Sequence, residues 1–88
     1  MIQSHQKLHF AVYVREDCHL CQEMILALRN LQAQASFDIE VIDIDKNPEL
    51  VVRYNDKIPV LKSLTDNTEI CHYHLDLQAF DAYLAKIR

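Results

Sequence analysis

Two cysteines sit three positions apart in "VREDCHLCQEM", as Cys18 and Cys21. Thiols at that spacing have three uses. They can join as a disulfide, hold a metal ion, or fill a core as small apolar groups. Cys71, His72 and His74 in "EICHYH" supply further candidate metal ligands or a third thiol. Pro59 in "KIPVL" is a second point of interest, because proline is excluded from central strands and marks a strand start. Which chemistry applies depends on the elements that hold these residues.

Leu8, Phe10, Val12 and Val14 alternate with His9, Ala11 and Tyr13, which predicts a first strand. From Cys18 the period changes to steps of three and four: Leu20, Cys21, Met24, Ile25, Leu28, Leu31 and Ala35 form the stripe of a helix reaching about Ala35. Phe37 to Ile44 reads as a second strand. Asn47 as N-cap and Pro48 at the first helical position predict a short helix to Tyr54 or Asn55. Ile58 to Leu64 reads as a third strand, "TDNT" as a turn, and "EICHYH" as a fourth strand paired back in a hairpin. Asp76 caps a last helix with an expected core face of Leu77, Phe80, Tyr83, Leu84 and Ile87. The order β-α-β-α-β-β-α predicts an α/β fold. Its first βαβ unit is parallel and right-handed, in a four-stranded mixed sheet with helices on both faces. The chain has no glycine, so Asn55, Asp66 and Asn67 are expected to supply any positive-φ turn positions.

Eighty-eight residues predict one domain, 1–88. Half of them are hydrophobic, enough for a packed core. The 9 basic and 13 acidic residues leave a net charge of −4, with no basic run, so no nucleic-acid partner is expected. No stretch reaches the roughly 18 apolar residues of a membrane span, and no signal-peptide pattern opens the chain. A cytoplasmic location follows as the expectation. There thiols are kept reduced, and a close cysteine pair is catalytic or metal-binding more often than structural.

Cys18 falls at the strand-to-helix turn, and Cys21 one turn inside the helix on the apolar stripe. Neighbours three apart on a helix bring their sulfurs together. The free N–H groups and positive end of the helix favour a thiolate at Cys18, as commonly in CxxC pairs. A protonated His19 adds to that, while Glu16 and Asp17 oppose it. Cys21 is expected to be buried and less reactive. Such an asymmetry suits exchange in two steps: attack by Cys18 on a disulfide, then resolution by Cys21. For Ile58–Pro59, one reading is a trans proline that opens the strand. The other is a cis bond that presents the Ile58 backbone opposite Cys18 as a pairing edge for substrate. Only about 5–6% of X–Pro bonds in folded proteins are cis, so the dipeptide alone favours trans.

With "CHLC" at 18–21, "VIDIDKNPEL" at 41–50 and "IPVL" at 58–61, the chain resembles glutaredoxin-like proteins of the thioredoxin fold from about Leu8 to Ile87. It looks closest to a short bacterial CxxC group. The resemblance implies a thiol–disulfide oxidoreductase with Cys18 as nucleophile, Cys21 as resolving thiol and Pro59 as a cis proline facing them. His19, Ile58, Pro59 and His72 are expected to line the substrate site. The implied partner is a protein disulfide or a low-molecular-weight thiol, met by a monomer. No bound cofactor is expected, with glutathione a candidate co-substrate. The chain departs from the family between its cysteines, where His19 and Leu20 replace a proline and an aromatic. It also has "ICHYHLD" where the family carries a Gly-Gly and an acidic pair that grip glutathione.

The rival class is a non-catalytic binding or metal-carrying module. Cys18, Cys21, Cys71 and either His72 or His74 would make a zinc set, and Cys18 thiolates with external thiols an iron–sulfur dimer. Neighbours Cys71 and His72 point to opposite sheet faces, which argues against the zinc set, and no metal is assigned. Cys71 is expected to pack as a small apolar residue, with a third redox thiol as the alternative. His5, His9 and His74 are expected at the surface. Tyr13, Tyr54 and Tyr73 are expected to pack in the core or at its rim, with a place in a substrate groove as the alternative. The acidic run Asp38, Glu40, Asp43 and Asp45 is expected to be solvated.

Overall fold

The computed structural model describes residues 8–87, so the reading of His5 lies outside the described residues. Four strands, β1 (Leu8–Val14), β2 (Phe37–Asp43), β3 (Val60–Ser63) and β4 (Glu69–His72), form one sheet in the order β2-β1-β3-β4. β1 runs parallel to β2, with Leu8 opposite Phe37 and Val14 opposite Asp43. β3 is antiparallel to both β1 and β4. Three helices complete the described residues: α1 (His19–Leu31), α2 (Pro48–Tyr54) and α3 (Leu77–Lys86). A single 3-10 turn, Ile44–Lys46, links β2 to α2.

The central strand explains the layers. Phe10, Val12 and Val14 face α1 and α3, packing with Cys21, Met24, Leu28, Phe80, Tyr83 and Leu84. Ala11 and Tyr13 face the other way, onto Ile44, Tyr54 and Val60. The alternation in β1 is therefore not apolar-in and polar-out: both faces are covered, as for a central strand between helices. Four aromatic rings lock the first layer, with Phe10 centred 5.6 Å from Phe37, 5.2 Å from Phe80 and 5.8 Å from Tyr83. Tyr13 and Tyr54 stack at 4.5 Å in the second, so both are core residues.

The element order stands as expected, and its ends shift. α1 stops at Leu31, and turn hydrogen bonds to the Asn30 and Leu31 carbonyls carry the chain on to Ala35, while the Gln32 side-chain amide donates to the Phe37 carbonyl at 2.9 Å. That bond closes the turn into β2. Ile44 leaves the second strand for the 3-10 turn, where Asp43 caps the Asp45 N–H at 2.9 Å. β3 begins at Val60, after Ile58 and Pro59. α3 buries Phe80, Tyr83 and Leu84, but Leu77 and Ile87 are 53% and 37% exposed. These two lie in its first turn and just past its end, beyond the buried stripe. Of the expected positive-φ positions only Asn67 is one, with φ 61°. Asn55 is right-handed at φ −49°, and Asp66 instead accepts the Thr68 N–H at 3.2 Å. Asp17 and Tyr73 take the other left-handed positions, at φ 59° and 67°. Among the described residues no helix is long and apolar enough to cross a membrane.

Candidate active site

The chain leaves β1 through Arg15 and Asp17, and two features fix its path. Arg15 Nε donates to both carboxylate oxygens of Asp45 at 3.0 Å, and its NH2 group donates to Asn55 Oδ1 at 2.7 Å. One guanidinium thus ties the end of β1 to the 3-10 turn and the end of α2. Asp17, in the left-handed region, then turns the backbone so that Cys18 becomes the N-cap of α1. A side chain at that position accepts a hydrogen bond from one of the orphan N–H groups of the first turn. Here the acceptor is sulfur: the Cys21 N–H points at Cys18 Sγ across 3.1 Å. No acidic side chain lies in the first turn of α1.

Cys18 and Cys21 are joined as a disulfide, with Cα atoms 5.1 Å apart, inside the usual 4.4–6.8 Å range. Their surroundings differ. Cys21 is 2% exposed among Met24, Leu28 and the β1 side chains, while Cys18 is half-buried at the rim of the same cluster. His19 is exposed in the first turn, beside Cys18.

The Ile58–Pro59 bond is cis. Pro59 is fully buried, and Ile58 packs against both core layers. Tyr73 fastens the segment from the other side: its N–H donates to the Pro59 carbonyl at 2.9 Å and its hydroxyl to the Asp56 carbonyl at 2.8 Å. Those two bonds hold a bulky residue in left-handed backbone, a conformation that side chains of its size rarely adopt. Tyr73 also borders a groove of about 230 Å³ with Leu20, Glu23, Met24, Ala27, His74 and Leu75, which runs along the first turns of α1. Sequence periodicity assigned Leu20 and Met24 to the core face of α1. Tyr73 is 45% exposed and takes its alternative place in a groove, not the core or rim packing expected, and no sequence signal pointed to Leu75.

The β4 residues divide by face. Cys71 stands opposite Leu61 and packs toward the α1–α3 layer, whereas His72 stands opposite Val60, which belongs to the α2 layer. His72 is exposed, 3.3 Å from Glu69 Oε2 and with its ring 4.6 Å from that of Tyr73. Cys71 is half-buried beside a hollow of about 470 Å³ that Glu69, His74 and Asp76 also line. Burial pushes its thiol pKa up; a hydrogen bond from the Asp76 backbone opposes this, and the Asp76 and Glu69 carboxylates add smaller raising effects. Among the described residues no three His, Cys, Asp or Glu side chains converge as metal ligands. His9 and His74 are exposed. In the acidic run Glu40 lies 3.6 Å from His9, and Asp45 is held by Arg15.

Residues 9–85 match the family described as Glutaredoxin-like domain (DUF836). The chain belongs to that family. A Nitrosomonas europaea protein solved in solution by NMR is 46% identical to this glutaredoxin-like domain, with 94% of this chain and 98% of that one covered and a TM-score of 0.83. An X. campestris protein solved by X-ray crystallography is 30% identical, covering 88% and 96% of the two chains at a TM-score of 0.67. Thioredoxin 1 from the thermophilic eubacterium Thermosipho africanus, at 20% identity, covers 88% and 94% with a TM-score of 0.62 and shows the shared fold. No curated protein matches the chain. The glutaredoxin-like domain is thus an α/β thioredoxin-like fold with its CxxC disulfide at a helix N-terminus, an arrangement consistent with thiol–disulfide redox chemistry.

Proposed function

We propose that this protein is a thiol–disulfide oxidoreductase that cycles between a Cys18–Cys21 disulfide and a dithiol. The observation that carries the proposal is the unequal setting of the two sulfurs. Cys18 Sγ caps α1 at the rim and accepts the Cys21 N–H, while Cys21 is closed into the core. An N–H aimed at the sulfur, together with the positive helix end, stabilises the Cys18 thiolate that attacks a disulfide or departs as leaving group. Cys21 has no path to an external disulfide, yet lies one helical turn from Cys18. It resolves the mixed disulfide from within the molecule. His19, exposed beside Cys18, and Ile58, packed against the same cluster as Cys18, are assigned to substrate binding, with the buried Pro59 shaping the Ile58 backbone; His72, exposed on β4, is assigned to the edge of the site. The substrate is a protein disulfide or a low-molecular-weight thiol, and the protein works as a cytoplasmic monomer built as one domain.

Equilibration in graded thiol/disulfide buffers, followed by acid quench, alkylation and peptide mass, tests this. A reversible two-electron step confined to Cys18 and Cys21 is expected. Cys18→Ser is expected to abolish exchange, and Cys21→Ser to accumulate a mixed disulfide on Cys18. Equal residual exchange in the two variants would remove the assigned roles.

A further inference from the structure

The groove beside the redox pair has a chemistry of its own. Leu20 lies between the two cysteines, and Met24, Ala27 and Leu75 continue an apolar floor from it, with Tyr73 as a wall. Its volume of about 230 Å³ falls below the ~300–1,000 Å³ of small-molecule sites, and it has room for one or two side chains rather than a whole cofactor. The rim is acidic. Glu23 borders the groove, and Glu16 and Asp17 immediately precede Cys18, all three exposed. Arg15, three positions before Cys18, is committed to Asp45 and Asn55. Asp56 and Lys57, adjacent on the loop that Tyr73 fastens, offset one another in charge.

On the reading of the site as a disulfide oxidoreductase, we infer that its substrate is a polypeptide disulfide with an apolar side chain next to the reacting cysteine and basic residues flanking it. The apolar side chain fills the groove along α1, and the flanking cations meet Glu16, Asp17 and Glu23. An anionic tripeptide disulfide such as glutathione disulfide meets the same three carboxylates as repulsion. The reaction balances within the pair. The Cys18 thiolate bonds one substrate sulfur, and the other substrate sulfur leaves and takes up a proton. Cys21 then loses its proton and bonds Cys18 Sγ, so the second substrate thiol is released. The protein gives two electrons and the substrate disulfide takes them.

A unit charge about 10 Å away in water changes an encounter by roughly a factor of two at low salt. Three carboxylates acting together, with partial screening, therefore predict about a fivefold to tenfold preference for a cationic over an anionic peptide. The test uses the reduced full chain and three probes at pH 8, where imidazole is uncharged. Two are peptide disulfides with Leu beside the cysteine and either two Lys or two Glu flanking it; the third is glutathione disulfide. Quench-flow alkylation reads the rate at which the Cys18–Cys21 disulfide forms. The Lys peptide is expected to react fastest, with the advantage narrowed about twofold by Glu23→Gln and largely lost in 0.5 M salt, about a 4 Å screening length. Replacing Leu by Ser in the Lys peptide is expected to slow it. Equal rates for the two peptides, or glutathione disulfide reacting fastest, would overturn the inference while leaving the oxidoreductase in place. No reaction with any probe would overturn both.

Discussion

The Ser63–Tyr83 pair is the sharpest quantitative test of this structure. Ser63 is a β3 residue only 1% exposed, and its hydroxyl lies 2.6 Å from that of Tyr83 on α3. Ser63 Oγ also accepts the Thr65 N–H at 3.2 Å, and the Tyr83 hydroxyl donates to Asp66 Oδ1 at 3.1 Å. Tyr83→Phe removes the shortest bond of the Ser63 hydroxyl, which keeps the Thr65 N–H and the Asp66 carboxylate as partners. A net bond is worth about 0.5–1.5 kcal/mol, so a loss of about 1 kcal/mol is expected. Ser63→Ala leaves Tyr83 its bond to Asp66, and a loss of about 1 kcal/mol follows from the same range. The double variant should cost less than the sum by about 0.5–1.5 kcal/mol, because each single change already breaks the shared bond. Urea unfolding of the oxidised protein followed by far-UV circular dichroism measures all four corners. For a chain of this length each kcal/mol corresponds to about 4–8 °C in Tm, a second readout. Costs that add within about 0.3 kcal/mol would show that the two hydroxyls do not interact, and would refute the placement of α3 over β3.

Removing the Phe80 ring, which touches Phe10 at 5.2 Å and Phe37 at 5.4 Å, is expected to cost about 3–5 kcal/mol, measured by the same unfolding curves. Asn67, at φ 61°, is expected to tolerate glycine within about 0.5 kcal/mol. Valine there should cost about 1–2 kcal/mol by thermal melting, because its Cβ crowds the left-handed backbone. Stability should also fall at both ends of the pH scale. The Thr68 and Tyr83 hydrogen bonds hold the Asp66 carboxyl below its ordinary 3.8, so its contribution is present above that pH and lost as pH falls through the folded value. Burial holds Tyr83 and Tyr13 above 10.0, so their contribution is complete below that pH and lost as pH rises from there through the folded values. Denaturation midpoints across pH 2–12 check both limbs; in Tyr83→Phe the acid limb should shift toward higher pH.

The sequence by itself determined the elements and the place of the cysteine pair. Periodicity depends only on neighbours within two to four positions, so β1, the α1 stripe and the caps Asn47 and Asp76 were legible. The spacing of Cys18 and Cys21 at a strand-to-helix junction is equally local. Tertiary structure decided the rest, because those features join residues far apart in the chain. Arg15 meets Asp45 and Asn55 across 30 and 40 positions, and nothing in the sequence pattern links them. Leu77 fits the apolar stripe of α3 by spacing yet is 53% exposed in the first turn, because spacing alone does not say which turns of a helix lie over the core. Without glycine, composition pointed to Asn and Asp for the left-handed turns. Tyr73 takes one because its N–H and hydroxyl bond to the 56–59 segment, and a contact of that kind exists only once β4 lies beside β3. The groove beside Leu20 arises in the same way. Its floor comes from α1 and its wall from the turn after β4, two segments that the folded sheet brings together.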